Sequence, residues 1–173
     1  MDLPARQPTA EGGTDVKGAT RWLRKATEPA MGDFIIKTGD LLKVTIPPPA
    51  IVPMLEAPVP LEGSGETVTV NDTPVCLRGD ELPDILMEPL PYTAPPFIVP
   101  GTGKLTLTLL PDNMTLQTLN GRPILIKGGQ FPALFTVETP ASQPTPAGPV
   151  PDPVVAKPGT AEFITTNETV TAS

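Results

Sequence analysis

Two stretches of the chain combine strict polar and apolar alternation with a turn signal. In the first, Glu66-Thr67-Val68-Thr69-Val70 alternates in β-branched residues, the period-two pattern of a half-buried strand. Asn71-Asp72 follows, and both residues tolerate the positive φ that a two-residue type I′ loop requires. The pattern therefore predicts a β-hairpin within residues 61–80, with Asn71 and Asp72 as its turn.

The loop also predicts a register for this hairpin. Counting outward gives four facing pairs: Val70 with Thr73, Thr69 with Pro74, Val68 with Val75, and Thr67 with Cys76. The second pair is of the type that exchanges no hydrogen bonds, so the missing N–H of Pro74 removes no bond from this ladder.

The same plan returns in residues 101–129, with a spacing of about 49 residues. Gly101-Thr102-Gly103 replaces Gly63-Ser64-Gly65, and residues 104–108 replace the first alternating strand. We interpret residues 109–118 as an insertion. Asn120-Gly121 is the strongest short hairpin signal, so the pattern predicts a second hairpin with Asn120 and Gly121 as its turn.

The remaining chain divides by its proline content. Residues 1–30 are predicted to be a flexible N-terminal arm with one short helix, residues 31–139 a β-domain, and residues 140–173 a Pro-rich tail. Inside the β-domain, short strands flank a turn at Thr38-Gly39-Asp40, Pro-rich crossings occupy 47–60 and 81–100, and 131–137 reads as a closing strand. Within the tail, 141–159 is expected to be a solvated linker and 162–170 a strand that docks on a sheet edge or simply ends the chain.

Composition supports an all-β fold with a thin core. The 173 residues include 26 Pro and 15 Gly, which excludes a helical bundle. Aromatic residues make up only 4%, so the core must be built from aliphatic side chains. We therefore predict a compact all-β domain of short hairpins joined by Pro-rich crossings, with flexible termini.

The chemistry of the side chains argues against catalysis. The chain has no histidine, which removes the usual general base and the commonest metal ligand, and its carboxylates are spread singly. We expect no enzyme, no cofactor and no metal. The net charge of −7 with scattered Lys and Arg argues against nucleic-acid binding. No run of 18 apolar residues and no hydrophobic leader is seen, so neither a membrane span nor a signal peptide is expected.

These residues resemble a known family. The G-S-G opening, the alternating strand, Asn-Asp or Asn-Gly, a proline two residues on and a closing Gly-Asp are similar to the PAAR-repeat proteins, over about residues 31–137. The resemblance implies a compact pointed β-domain that caps the trimeric spike of a contractile injection machine: a type VI secretion system, a contractile phage tail or an extracellular injection particle. It further implies one copy per particle, assembly in the bacterial cytoplasm before export with the particle, and a role in piercing the target envelope.

One departure from that family concerns the metal. Its members often hold a metal near the apex with three histidines and a cysteine, and Cys76 alone matches here. One thiolate does not build a tetrahedral site, so Cys76 is expected to be a small hydrophobe packed beside Thr67 and Pro74.

The resemblance also implies a partner surface, a trimeric spike protein of the secretion-system or phage-hub type. We expect the apolar crossings to contact it, with these candidates: Ile51, Val52, Met54, Leu55, Leu86, Met87 and Phe97. Two alternatives remain. One is an adaptor or cargo carrier of the same machine, in which 141–173 ties an effector; the other is a free Pro-rich β binding module.

Overall fold

The computed structural model describes residues 32–173. The arm predicted at 1–30 lies outside these residues. The described chain forms short strands and three single turns of 3-10 helix, and the all-β prediction is confirmed. The strands are β1 Asp33–Phe34, β2 Leu41–Thr45, β3 Val59–Pro60, β4 Gly65–Val70, β5 Thr73–Val75, β6 Leu90–Ala94, β7 Phe97–Leu107, β8 Met114–Leu119, β9 Arg122–Leu125, β10 Phe131–Thr139, β11 Ser142–Gln143, β12 Val150–Pro151, β13 Ala156–Ile164 and β14 Thr171–Ala172.

An eight-stranded antiparallel sheet supplies most of the core. Its order is β12-β11-β7-β10-β13-β2-β3. The eighth strand, β6, pairs with the edge of β7 opposite to β10 and β11. The few aromatic residues are concentrated on its buried face. Tyr92 meets Phe135 edge-on with ring centroids 5.4 Å apart, and Phe131 lies 4.9 Å from Phe163. Aliphatic side chains surround these pairs, but the buried aromatic residues differ from the expectation of a core built from aliphatic side chains alone.

The C-terminal segment differs from the predicted solvated tail. β13 lies inside the sheet, between β10 and β2, where Phe163 pairs with Leu42 and Lys157 pairs with Phe135. Proline misled the prediction here. Because β2 pairs with β13 only from Thr160 onward, Pro158 does not interrupt that ladder.

Both predicted turns lie in two-residue hairpin loops. Asn71 and Asp72 join β4 to β5 with φ of 51° and 61°, and Asn120 and Gly121 join β8 to β9 with φ of 53° and 78°. Four positive φ values are what type I′ loops require.

The register of the first hairpin holds only next to the loop. Val70 pairs with Thr73 and Thr69 with Pro74, but Gly65 then opposes Val75. Residues 66–68 are looped out of the ladder, so the expected pairs of Val68 with Val75 and Thr67 with Cys76 do not form. The backbone groups of Cys76 bond to other segments instead of Thr67: its N–H donates to Ile36, and its carbonyl accepts from Leu125.

The second hairpin starts later than predicted. Its first strand is β8, within the residues we interpreted as an insertion, whereas 104–107 belong to β7 of the main sheet. Alternation is strict in 104–108 but breaks at Gln117-Thr118 in 114–119, so the pattern alone favoured the wrong stretch. Gly103 explains why 104–107 belong to the main sheet. A Cβ at this position would lie 2.6 Å from the Phe135 ring, so glycine lets β7 approach this ring closely.

A pair of glycine substitutions separates backbone strain from packing. Gly121 and Gly129 both face open space, but only Gly121 has a left-handed φ. Gly121→Ala should lower the free energy of unfolding by about 1 kcal/mol, while Gly129→Ala should leave it unchanged or slightly raised. Urea denaturation measures both, and equal losses in the two variants would contradict the type I′ loop.

Candidate functional site

Three segments of the chain meet in a closed ring of backbone hydrogen bonds. Ile36 N donates to Leu125 O, Leu125 N donates to Cys76 O, and Cys76 N donates to Ile36 O, each at 2.9 Å. Each residue thus donates to one neighbour and accepts from the other. Such a cycle places the three segments around an approximate threefold axis.

A second cycle of backbone hydrogen bonds flanks the ring and runs in the opposite direction around the three segments. Thr38 N donates to Pro74 O, Arg78 N to Pro123 O, and Lys127 N to Phe34 O, at 2.8–2.9 Å. The segments 34–38, 74–78 and 123–127 are therefore equivalent. Each pairs through its first half with one neighbour and through its second half with the other, so the cycle is closed by backbone groups alone.

Each of these segments also carries an outer partner strand. Pro74 pairs with Thr69 and Pro123 with Thr118, and the third place is filled by Phe34 with Thr171. β1 and β14, from opposite ends of the described chain, thus form the third strand pair. We call β1/β14, β4/β5 and β8/β9 with their joined segments the three-cornered assembly.

A polar side chain ties each corner to the strand before it. The buried Asp40 carboxylate accepts from Lys37 N at 2.9 Å, Thr165 Oγ1 at 2.7 Å, and both the N and Oγ1 of Thr166. These contacts join the turn after 34–38 to the chain that leads into β14.

The other two corners repeat this arrangement with different side chains. Asp80 accepts from Leu77 N at 2.9 Å and from the N and Oγ of Ser64, and Arg122 adds an ion pair at 3.5 Å. At the β8/β9 corner, where Gly129 stands in place of the aspartate, Asn113 Nδ2 donates to the carbonyls of Lys127 and Gly129. Each corner is thus fixed by hydrogen bonds rather than by packing alone.

The ring separates two hydrophobic clusters because side chains alternate along a strand. Ile36, Cys76 and Leu125 are fully buried and face the core of the main sheet. Their neighbours, including Ile35, Val75, Leu77 and Ile126, form a second cluster beneath the outer strands, which Leu119, Ile124 and Ala172 only partly cover.

Cys76 is a buried hydrophobe, as expected, but lies beside Ile36 and Leu125 rather than Thr67. Burial, and to a smaller extent the carboxylates of Asp80 and Asp40, raise the pKa of the Cys76 thiol to about 12. In the described part of the chain, no three His, Cys, Asp or Glu residues cluster as metal ligands would.

The residues predicted as partner contacts do not share one surface. Val52, Leu55 and Leu86 are buried in the main core, and Met54 and Phe97 are half-buried against it. Ile51 and Met87 are exposed, but Ile51 pairs with Thr93 in the main sheet, while Met87 borders the Asp80 corner. The turn residues, in contrast, occupy two equivalent corners of the three-cornered assembly.

Sequence reasoning missed the third corner, although a signal was present. Glu168-Thr169-Val170-Thr171 repeats Glu66-Thr67-Val68-Thr69, and Thr38-Gly39-Asp40 matches Arg78-Gly79-Asp80. The two halves of this third copy lie at opposite ends of the described chain, so a search for adjacent strands could not join them. Asn113 carries no comparable signal.

Helices long and apolar enough for a membrane span do not occur between residues 32 and 173. No curated protein matches the chain. A family model described as "Contractile injection system spike tip protein" matches residues 31–173, which includes every residue that builds the three corners and the main sheet. The predicted resemblance to spike-tip proteins is thereby confirmed, and the chain belongs to the contractile injection system spike tip family.

Proposed function

We propose that this chain caps the trimeric spike of a contractile injection machine and helps the particle penetrate its target envelope. The observation that supports this is the cyclic hydrogen bonding of Ile36, Cys76 and Leu125. A single chain that folds around a threefold axis offers three nearly equal contacts to the end of a trimer, whereas an asymmetric surface meets only one subunit in the same way.

The three-cornered assembly is the proposed seat. Its outer strands end in exposed turns at Asn71-Asp72 and Asn120-Gly121, and its most exposed apolar side chain is Leu116, which is 94% exposed in the bulge of β8. Such a side chain is costly to leave in water and is typical of a contact residue. One chain per spike trimer follows from the coincidence of the two axes.

The role is structural rather than catalytic in this proposal. The strands β2, β10 and β13 run directly from the corners into the main sheet, so a load on the sheet passes through continuous backbone hydrogen bonds to the seat. Residues 142–164 supply strands of that sheet, which gives the C-terminal segment a structural role instead of the carriage of an effector.

A matched pair of charge substitutions tests the seat. Leu116→Asp should weaken capture of the trimeric spike protein by about tenfold or more, because a carboxylate would be desolvated at the contact. Ile98→Asp introduces the same charge in place of an exposed aliphatic side chain at the other end of the main sheet, and it should leave capture unchanged. Capture by immobilised spike and native mass spectrometry of the complex measure affinity and the expected one-to-three stoichiometry.

Two results would reject this seat. One is spike capture that survives Leu116→Asp but is lost with Ile98→Asp. The other is capture that is lost only in Met87→Asp, which would assign the spike contact to the Pro-rich crossing at 81–100. A stoichiometry with three copies of this chain per trimer would reject the pseudo-threefold match itself.

A further inference from the structure

The main sheet has an end that lies far from the three-cornered assembly. β10 leaves the assembly at Phe131 and runs nine residues to Thr139, a length of about 30 Å. β7 and β13 run antiparallel to β10, so Phe97 and Ala156 lie at the same distant end. The residues that turn there belong to 45–55, 89–103 and 139–157.

This end carries almost no charge, although the whole chain has a net charge of −7. The three ranges contain only two charged residues, Asp152 and Lys157. Both are buried, and Lys157 Nζ contacts Asp152 Oδ2 at 2.7 Å. The exposed charged residues nearest to this end are Glu56, Glu88, Lys104 and Glu138, each next to one of these ranges, and Lys104 forms an ion pair with Glu138 at 2.9 Å.

Exposed aliphatic side chains replace the missing charges. Ile98 and Val155 are each 63% exposed, and Val154 is 50% exposed. Prolines 47–49, 95–96 and 144–153 hold the surrounding turns in extended backbone with few free donors. A cavity of about 280 Å³ opens among them, lined by Phe97, Val154 and the prolines 47–49, with the buried ion pair at its edge.

We infer that this apolar end is a lipid-contacting surface that enters the outer part of a bilayer. The inference rests on the proposed function, since a tip seated on its spike by the three corners would present this end outward. Lipid fits better than a protein partner because the turns at this end expose aliphatic side chains and prolines, and burial of this apolar area lowers the free energy of transfer into an interface. The cavity has the size and lining to take part of an acyl chain.

The chemistry also predicts what kind of bilayer matters. Because Lys104, the lysine that flanks this surface, is paired with Glu138, the surface gains little from anionic headgroups, so binding should be nearly the same on neutral and anionic membranes. It should also be insensitive to salt.

A fluorescent label tests the surface in the full chain. Cys76 is fully buried, so a second cysteine introduced as Val154→Cys or Leu116→Cys can be labelled selectively with an environment-sensitive dye. On addition of phosphatidylcholine vesicles, emission from position 154 should shift to the blue, while emission from position 116 should not change. Adding Ile98→Asp to the Val154→Cys chain should weaken partitioning by about tenfold. Replacing part of the lipid with phosphatidylglycerol should change it by no more than about twofold.

Each contrary result has a definite meaning. No shift at position 154, or equal shifts at both positions, overturns the inference. Binding that requires phosphatidylglycerol would assign an electrostatic surface instead. Self-association of the free chain that Ile98→Asp abolishes would assign the surface to a second copy. Spike capture by the same variants reports separately on the proposed function, because it depends on Leu116 and not on Ile98.

Discussion

Replacing Lys157 with methionine should lower the free energy of unfolding by about 4 kcal/mol, because the substitution leaves a buried carboxylate without its cation. Lys157 is 7% exposed and Asp152 is 4% exposed. The ammonium also lies 5.1 Å from the centroid of the Tyr92 ring, which adds a cation–π contact.

The ion pair matters because it lies where two strands break. β10 and β11 are separated at Pro140-Ala141, and β12 and β13 are separated at 152–155. Tyr92 bridges this break: its hydroxyl accepts from Ala141 N and donates to Asp152 Oδ2, both at 3.1 Å. Loss of Lys157 therefore disturbs the network that satisfies buried backbone groups between the two breaks.

Lowering the pH should reduce the contribution of the Lys157–Asp152 ion pair to the free energy of unfolding. Burial pushes the pKa of Asp152 upward, but hydrogen bonds from Lys157, Val154 and Tyr92 outweigh burial and hold that pKa below its ordinary value of 3.8. A lowered folded-state pKa means that the contribution of Asp152 is fully present above 3.8 and is lost as the pH falls through the folded-state value. The difference between the wild type and Lys157→Met should therefore shrink as the pH falls below 3.8.

The control is the double variant Asp152→Asn with Lys157→Met, which removes both charges and should recover much of the lost stability. Urea denaturation at neutral and acidic pH measures all three chains. A loss that is the same at both pH values and is not recovered in the double variant would mean that packing, not charge, explains the effect.

Asp40→Ala should have the second large effect, a loss of about 3 to 4 kcal/mol in the free energy of unfolding. The buried Asp40 carboxylate satisfies four donors from Lys37, Thr165 and Thr166. Alanine would leave the half-buried donors of Lys37 and Thr165 without their acceptor, at the point where the corner meets the end of β13.

The pseudo-threefold repeat supplies a matched control. Asp80→Ala removes the equivalent carboxylate, but its partners Ser64 and Arg122 lie near solvent and can bond to water, so the loss should be smaller, about 2 kcal/mol. Asp40→Asn should fall between the wild type and Asp40→Ala because it keeps one acceptor. Thermal and urea unfolding compare the three, and an equal or greater loss in Asp80→Ala would contradict the role given to burial at Asp40.

Short-range chemistry explains which parts of the fold the sequence predicted. Asn71-Asp72 and Asn120-Gly121 determine their own backbone conformation, and so the loops and the pairs next to them could be read directly. The register beyond Thr69 could not be predicted, because the bulge at 66–68 depends on Val75, which also faces Lys37 in a β-bridge across the ring. A local pattern does not record such competition between partners.

Long-range pairing explains the rest of the differences. Residues 104–108 alternate more strictly than 114–119, and only contact with Phe135 assigns the first stretch to the main sheet. β13 was hidden by Pro153 and Pro158, which suggested a linker although neither interrupts the ladder to β2. The third corner needs β1 and β14 together, and its two Asp40 partners lie more than a hundred residues away in the chain.

The near equivalence of the three corners affects how the chain would be seen on a symmetric partner. Rotation by 120° would exchange contacts of almost equal energy, so three orientations of the docked chain would coexist, and the mixture would be favoured by on the order of 0.6 kcal/mol of orientational entropy. Images averaged with imposed threefold symmetry would keep the backbone ring sharp and blur the main sheet. Resolving that sheet would require particles classified without symmetry, using the aspartate and asparagine corners to tell the orientations apart.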